Sequence, residues 1–402
     1  MTNPFGIVSS EAILEGTATD AYFERTRTTL EHAGKNPRVV AEVTADQFPT
    51  GSFELFTGVK DVATLFEGRD VDVDVDALPD GRLFDGGPVL RVEGSYLEFA
   101  ELETSLLGFL SQPSGFATAA LEARLAAPDA TVLSFGARHV HPAITATVER
   151  AALLAGLDGF SHVAAGEILG REAGGTMPHA LMFCFGEGNQ ADAWRAFDEA
   201  VPDETPRIAL ADTFWDEKSE SLLAAETLGE DLDGVRIDTT GSRRGDFRHI
   251  IREVRWELDA RGYEDVDIFC SGGLGPENIR ELRDVADGFG VGSHITEADS
   301  IDFSLDIVAI SEGSGESSSS RTQSGSEYEP ISKRGKLSGV KEVYRTADGG
   351  HHVALADRDG PENGEALLEP LIRDGEVVRK FDLEAASERC LGDAKRTGFS
   401  RE

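Results

Sequence analysis

Two short segments, Ser271-Gly272-Gly273 and Gly290-Val291-Gly292-Ser293, have the composition of an anion cradle. Without a Cβ, backbone N–H groups can approach an oxygen closely, and a helix that follows such a turn directs its positive end at the anion. Ser271 and Ser293 would add hydroxyl donors. A single Gly-Gly after a strand is commonly just a tight connection, whereas two successive turns at the last strands of a β/α barrel occupy that fold's usual phosphate position. Four arginines follow apolar runs, Arg138, Arg236, Arg243 and Arg244, and their guanidinium forks suit a carboxylate, a pyrophosphate or an internal ion pair. Asp238 ends its run where it would face a barrel mouth, placed for ribose hydroxyls or for a Mg²⁺ ion accompanying a polyphosphate, and Asp212 is a similar candidate. A rival chemistry comes from His139 and His141 together with His162, His179 and Asp212, which resemble the strand-end imidazoles of a metal-dependent barrel hydrolase. That alternative leaves the glycine turns and arginines without a task, and Pro142 places the histidine pair in a loop.

The elements that must position these residues are an alternation of short apolar runs with helical stretches, beginning after an alanine-rich helix that starts near Ser114. The runs are Thr131 to Phe135, Ala180 to Phe185, Arg207 to Ala211, Val235 to Asp238, Val266 to Cys270 and Gly288 to Val291. Strand-helix repetition of this kind implies parallel strands and helical crossovers, so the expected fold class is α/β, an irregular (β/α) barrel, closed or incomplete, over 108–300. Residues 1–107, with a first helix at Thr19 to Ala33 and strands at Arg38 to Val43 and Val89 to Val92, predict an α/β or α+β sandwich-like domain. Residues 301–402 are expected to complete it, through a strand at Phe303 to Ile310, strands at Val340 to Arg345 and His352 to Leu355, and a closing helix at Leu383 to Lys395. Between them, 311–326 is Ser/Gly/Glu-rich and predicts a flexible loop. Lys333, Arg334, Lys336 and Lys341 form a basic cluster best taken as a solvated turn.

Composition narrows the class of partner. The chain has 402 residues, 38 basic against 74 acidic, and a formal charge of −36, which repels nucleic acid and anionic membranes. With so few lysines the acidic surface suits a cytoplasm of concentrated salt, where screening suppresses self-repulsion, so a halophilic source is expected. Cys184, Cys270 and Cys390 are far apart and show neither a disulfide framework nor thiolate metal spacing. The N-terminus lacks a basic-then-apolar signal pattern and no apolar run reaches the roughly 18 residues of a membrane span, so a cytoplasmic protein is expected.

Six ordered motifs carry a family resemblance: Thr19-Asp20-Ala21-Tyr22, Phe135-Gly136-Ala137-Arg138, Gly175-Thr176-Met177-Pro178-His179, Val235-Arg236-Ile237-Asp238 and the two glycine turns. Up to about residue 300 the chain resembles nicotinate phosphoribosyltransferase of the archaeal and bacterial kind, whose fold is akin to the quinolinate and nicotinamide phosphoribosyltransferases. The resemblance implies a reaction of nicotinate with phosphoribosyl pyrophosphate that yields nicotinate mononucleotide and pyrophosphate in NAD salvage, with Mg²⁺ and coupled ATP hydrolysis. By motif, Tyr22 would stack on the pyridine ring from a neighbouring subunit of a homodimer or larger homo-oligomer, and Phe135 would cover the other face. Arg236, with Arg138, would bind the nicotinate carboxylate or pyrophosphate, Thr176 would belong to the substrate site, and His179 matches a histidine that takes a phosphoryl group from ATP. Asp238 would hold ribose or Mg²⁺, while Ser271, Gly272, Gly273, Gly290, Gly292 and Ser293 would hold the 5-phosphate. The chain departs from the family pattern at Arg138-His139, where many relatives have two arginines, and at Thr239-Thr240-Gly241, where Ser-Gly-Asp is usual. Quinolinate and nicotinamide phosphoribosyltransferases, and a non-catalytic phosphoribosyl-binding protein, remain alternatives.

Overall fold

A computed structural model describes residues 5–49, 53–239, 241–311, 328–346, 349–358 and 360–399. The chain divides into two compact units, Met1–Thr118 with Asp299–Glu402, and Ala119–Ala298.

In the first unit a seven-stranded sheet runs in the order 329–330, 302–311, 38–47, 88–95, 73–77, 369–373, 376–377. Its pairings are antiparallel, so one face can be apolar and the other wet. The strand Val73–Ala77 shows why: Val73, Val75 and Ala77 are buried while Asp74 and Asp76 between them are partly exposed, the period of two that a half-buried strand requires. The inward face packs on the helix Val59–Arg69, whose Val59, Val62, Ala63, Leu65 and Phe66 join a core with Phe56 and Phe84. The helix Glu103–Ala126 contains Pro113, which has no N–H for the carbonyl of Phe109. Gly58, at φ +104°, approaches that carbonyl so closely that a Cβ would come within 2.0 Å of the oxygen.

The second unit is built on a parallel sheet in the order Gly159–Phe160, Thr131–Ser134, Gly288–Val291, Asp267–Cys270, Gly234–Ile237, Ile208–Leu210. Six strands joined by helices form an open, curled sheet, an incomplete barrel, one of the two forms the alternation allows. The central strand Gly288–Val291 is buried throughout, whereas its neighbours Thr131–Ser134 and Asp267–Cys270 each begin with an exposed residue.

Three expectations are corrected. Ala180 to Phe185 is not a strand: His179–Phe185 is a helix, and its place in the sheet is taken by the two-residue strand Gly159–Phe160. A short, wholly apolar run has no periodicity to distinguish the two states, and here only Met182 of the helix is buried while Phe183 and Phe185 are exposed. Nor do the strands Lys341–Arg345 and His351–Leu355 extend the large sheet; they pair with each other and with Glu365–Ala366. The C-terminal strand that joins the N-terminal ones is Glu369–Arg373, hydrogen-bonded to Val73–Ala77. The alanine-rich helix also begins earlier than Ser114, at Glu103. In the basic cluster, Lys333 and Lys336 pair with Asp306, and Lys341 with the buried Glu42. Residues 312–326 of the Ser/Gly/Glu-rich segment lie outside the described residues. Among the described residues no helix is long and apolar enough to cross a membrane.

Candidate active site

The C-terminal ends of the parallel strands converge on a cleft of about 420 Å³ that holds most of the expected residues: Phe135, Arg138, Thr176, Arg236, Asp238 and both glycine turns. The strand Thr131–Ser134 delivers Phe135, whose N–H donates to the carbonyl of Val291 at 2.7 Å and so ties the first loop to the last strand. Glycine is required at 290 by contact: a Cβ there would lie 2.3 Å from the Phe135 ring and 3.2 Å from the Ser271 Cβ. Gly272 and Gly273 have φ of +90° and +67°, the left-handed region that other residues enter only with strain. Beyond Gly273 a Cβ would meet nothing within 4 Å, so this turn faces open space where a ligand oxygen fits. The helices after the two turns are short, Pro276–Leu282 and Ser293–Thr296. Individual N–H groups and hydroxyls, rather than a long-helix dipole, are therefore the donors on offer.

Arg236 dominates the opposite wall. It leaves the strand Gly234–Ile237 with a side chain 13% exposed, donates to the Thr176 hydroxyl and lies 3.6 Å from Asp238. Burial lowers its pKa, opposed by Asp238 and Asp212. Its Nε is buried and has no hydrogen-bond partner among the described residues, an N–H whose desolvation a planar anion would relieve. Asp238 is fixed from the other side by the Ser271 hydroxyl at 3.0 Å, which links the arginine wall to the first glycine turn.

A second compartment, about 1060 Å³, shares Arg138, Asp238, Gly272 and Gly273 with the first and extends to His179, Asp212 and Trp215. His179 opens the helix His179–Phe185, and its Nε2 lies 3.2 Å from Asp212 Oδ1. The hydrogen bond to Asp212 raises the His179 pKa; burial and Arg236 oppose this, and the charges of Asp212 and Asp238 add to it. Asp212 is itself fixed, accepting from the Asp238 backbone N–H at 2.6 Å and from the Thr239 hydroxyl at 3.2 Å. Thr239 also donates to Glu217 at 2.7 Å. Arg243 lines this compartment. Thr240 and the side chain of Arg244 lie outside the described residues.

Tyr22 belongs to the other unit, where it sits on the helix Ala21–His32, 56% exposed, with its hydroxyl 3.3 Å from Asp20. Burial, and then Asp20, raise its pKa. The histidines of the hydrolase alternative do other work: His139 accepts from Arg138, while His141 and His162 accept from the backbone N–H groups of Ala143 and Ala165. Among the described residues no group of three or more His, Cys, Asp or Glu side chains could hold a metal. Glu220 has no counterpart among the sequence candidates. It is fully buried and accepts from the N–H groups of Thr213, Phe214 and Trp215 at 2.8, 2.8 and 2.9 Å, and from Gln190 at 3.0 Å. A glutamate three residues into a helix resembles ordinary surface, and nothing local in the sequence marks it as the anchor of the preceding loop.

Residues 20–114 match the N-terminal domain of quinolinate phosphoribosyl transferase, and residues 116–306 match its C-terminal domain. The chain belongs to the quinolinate phosphoribosyltransferase family, the type II phosphoribosyltransferases. Within that family it is similar to the nicotinate-nucleotide pyrophosphorylase of Pyrococcus furiosus, whose crystal structure is 45% identical with a TM-score of 0.91, over 99% of this chain and 100% of that one. A nicotinate phosphoribosyltransferase of Mycobacterium tuberculosis is 31% identical over 323 residues, 76% of this chain and 65% of the relative. Human nicotinic acid phosphoribosyltransferase, 22% identical with a TM-score of 0.74 over 94% of each chain, shares the fold. The chain spans 65% of the length of the first mycobacterial relative and 60% of that of the Bacillus subtilis nicotinate phosphoribosyltransferase.

Proposed function

We propose that this chain is a nicotinate phosphoribosyltransferase, joining nicotinate to phosphoribosyl pyrophosphate to give nicotinate mononucleotide and pyrophosphate in NAD salvage. Arg236 carries the assignment. A buried guanidinium with an unpartnered Nε, lining one cleft with a glycine cradle and Phe135, suits a flat aromatic ring bearing one carboxylate joined to a phosphorylated sugar. The named activity of the mycobacterial and Bacillus relatives supports the same substrate.

In this scheme the pyridine nitrogen lone pair forms the bond to C1 of the ribose as the C1–O bond to pyrophosphate breaks, and the electron pair leaves with pyrophosphate. The ring nitrogen carries no proton to remove, so no general base is required, and positioning plus charge stabilisation supply the acceleration. Arg236 and Phe135 orient the ring, the Gly272–Gly273 and Gly292–Ser293 turns hold the 5-phosphate, and Arg138 and Arg243 receive the departing pyrophosphate. Asp238, with Asp212 behind it, presents a carboxylate where ribose hydroxyls would lie. One carboxylate plus substrate oxygens is an ordinary Mg²⁺ environment, so Asp238 fits an ion brought by the pyrophosphate rather than one caged by the protein. Such an ion would neutralise charge on the pyrophosphate.

His179 accepts the phosphoryl group of ATP. Asp212 faces Nε2, which leaves Nδ1 as the nucleophile: the Nδ1–P bond forms, the bond from the γ-phosphorus to the bridging oxygen breaks, and ADP departs. Tyr22 of a second copy closes over the ring in a homodimer or larger homo-oligomer. The enzyme works in a salt-rich cytoplasm, consistent with its charge of −36. The test is product formation in concentrated salt with nicotinate, nicotinamide and quinolinate offered separately to the purified protein with phosphoribosyl pyrophosphate, each with and without ATP. Turnover of nicotinate alone, raised by ATP, is expected. Carbon dioxide release from quinolinate without turnover of nicotinate would overturn the assignment.

A further inference from the structure

The second compartment ends in an unusual surface. Trp215 is 45% exposed and lines it, and Phe214 lies beside Trp215 with its ring edge-on to Phe183 at 5.4 Å and 87°. Exposed aromatics on a strongly acidic protein are costly to hydration unless something covers them. This loop is also not loose: three consecutive backbone N–H groups, from Thr213 to Trp215, converge on the buried Glu220 carboxylate. The helix that supplies His179 supplies Phe183 one turn later, so the phosphoryl-acceptor candidate and the prop for Phe214 share one rigid element.

We infer that Trp215 and Phe214 form a platform on which the base of a nucleoside triphosphate stacks, with its phosphates directed along the second compartment toward His179. The inference rests on the proposed coupling to ATP and adds the place where the nucleotide is held. At about 1060 Å³ the compartment is far larger than a pyrophosphate needs and of a size for a whole nucleotide. Its walls supply what each end of such a molecule requires: aromatic side chains at Phe214 and Trp215, and Arg138 and Arg243 for the phosphates. Asp216 and Glu217 also line it and disfavour a bare polyanion, so the nucleotide binds as its divalent-metal complex. Base stacking is tolerant of base identity because each base has a π face, so the site should select for a nucleotide over inorganic polyphosphate more strongly than for adenine over guanine.

The experiment is titration of ATP with Mg²⁺, and separately of inorganic tripolyphosphate with Mg²⁺, into the wild-type protein and into W215A and W215F in concentrated salt. Wild type should bind ATP more tightly than tripolyphosphate. W215A should weaken ATP by about tenfold and leave tripolyphosphate unchanged, while W215F retains most of the affinity. Equal ATP affinity in W215A and wild type, or a W215A defect expressed in nicotinate affinity instead, overturns the platform. Tight, Trp215-dependent ATP binding that leaves transfer unstimulated keeps the platform and refutes the coupling on which His179 was assigned.

Discussion

The two compartments of the second unit meet at Asp238 and the Gly272–Gly273 turn, yet they are built by opposite means. The first is defined by what is missing, with no Cβ at Gly272, Gly273, Gly290 or Gly292, and by two arginines, Arg138 and Arg236, whose charge is constant over the accessible pH range. The second is lined by titratable groups, with His179 paired to Asp212, Asp212 held by the Asp238 backbone N–H, and Glu217 reached through the Thr239 hydroxyl. A cradle of the first kind binds substrate in one way whatever the conditions. One of the second kind changes charge with pH or with phosphorylation, which is where coupling to a second reaction can be placed. In the proposed scheme the transfer chemistry uses the glycine-lined compartment, and ATP would act in the acidic one.

The largest effect should come from the first compartment. R236A removes the buried cation proposed to face the nicotinate carboxylate and leaves only the more exposed Arg138 in the cleft, so kcat/KM for nicotinate should fall by about 100- to 1000-fold with the protein still folded. A loss below tenfold would mean that the carboxylate is held elsewhere. G290A has only a methyl to place, but the Phe135 ring lies 2.3 Å from where it must go, so the ring shifts and kcat/KM should drop by roughly ten- to a hundredfold. Restoration of activity by shrinking Phe135 in the same chain would tie the loss to that contact.

Effects in the second compartment should be conditional. In H179A the ratio of transfer rates with and without ATP should fall to one, measured as the initial rate of product formation in each condition; persistent stimulation would remove His179 from the coupling. The pH profile sharpens the contrast. Asp212 raises the His179 pKa and only the neutral ring is nucleophilic, so ATP stimulation should increase as pH rises through that elevated pKa. In D212N the raising influence is lost, and the same limb should move to lower pH. An unmoved limb would assign the titration to another group.

How much of this the sequence discloses depends on whether the constraint is local. The glycine turns are legible because positive φ at Gly272 and Gly273 and close approach at Gly290 exclude nearly every other residue at the position itself. The open parallel sheet follows from strand-helix alternation for the same reason. Helix His179–Phe185 escapes because six apolar residues in a row fit strand or helix equally, and tertiary context decides. Glu220 escapes more completely, since its significance lies in three N–H groups that a loop brings to it and in Gln190, 30 residues away. The pairing of Glu369–Arg373 with Val73–Ala77 spans nearly 300 residues and likewise leaves no local trace.

The most direct test of the central claim is a crystal structure of the protein with nicotinate mononucleotide bound. The account predicts the 5-phosphate between the Gly272–Gly273 and Gly292–Ser293 turns, the pyridine ring against Phe135, and the carboxylate on Arg236. A phosphate seated in the His179 compartment with Arg236 left uncontacted would contradict it.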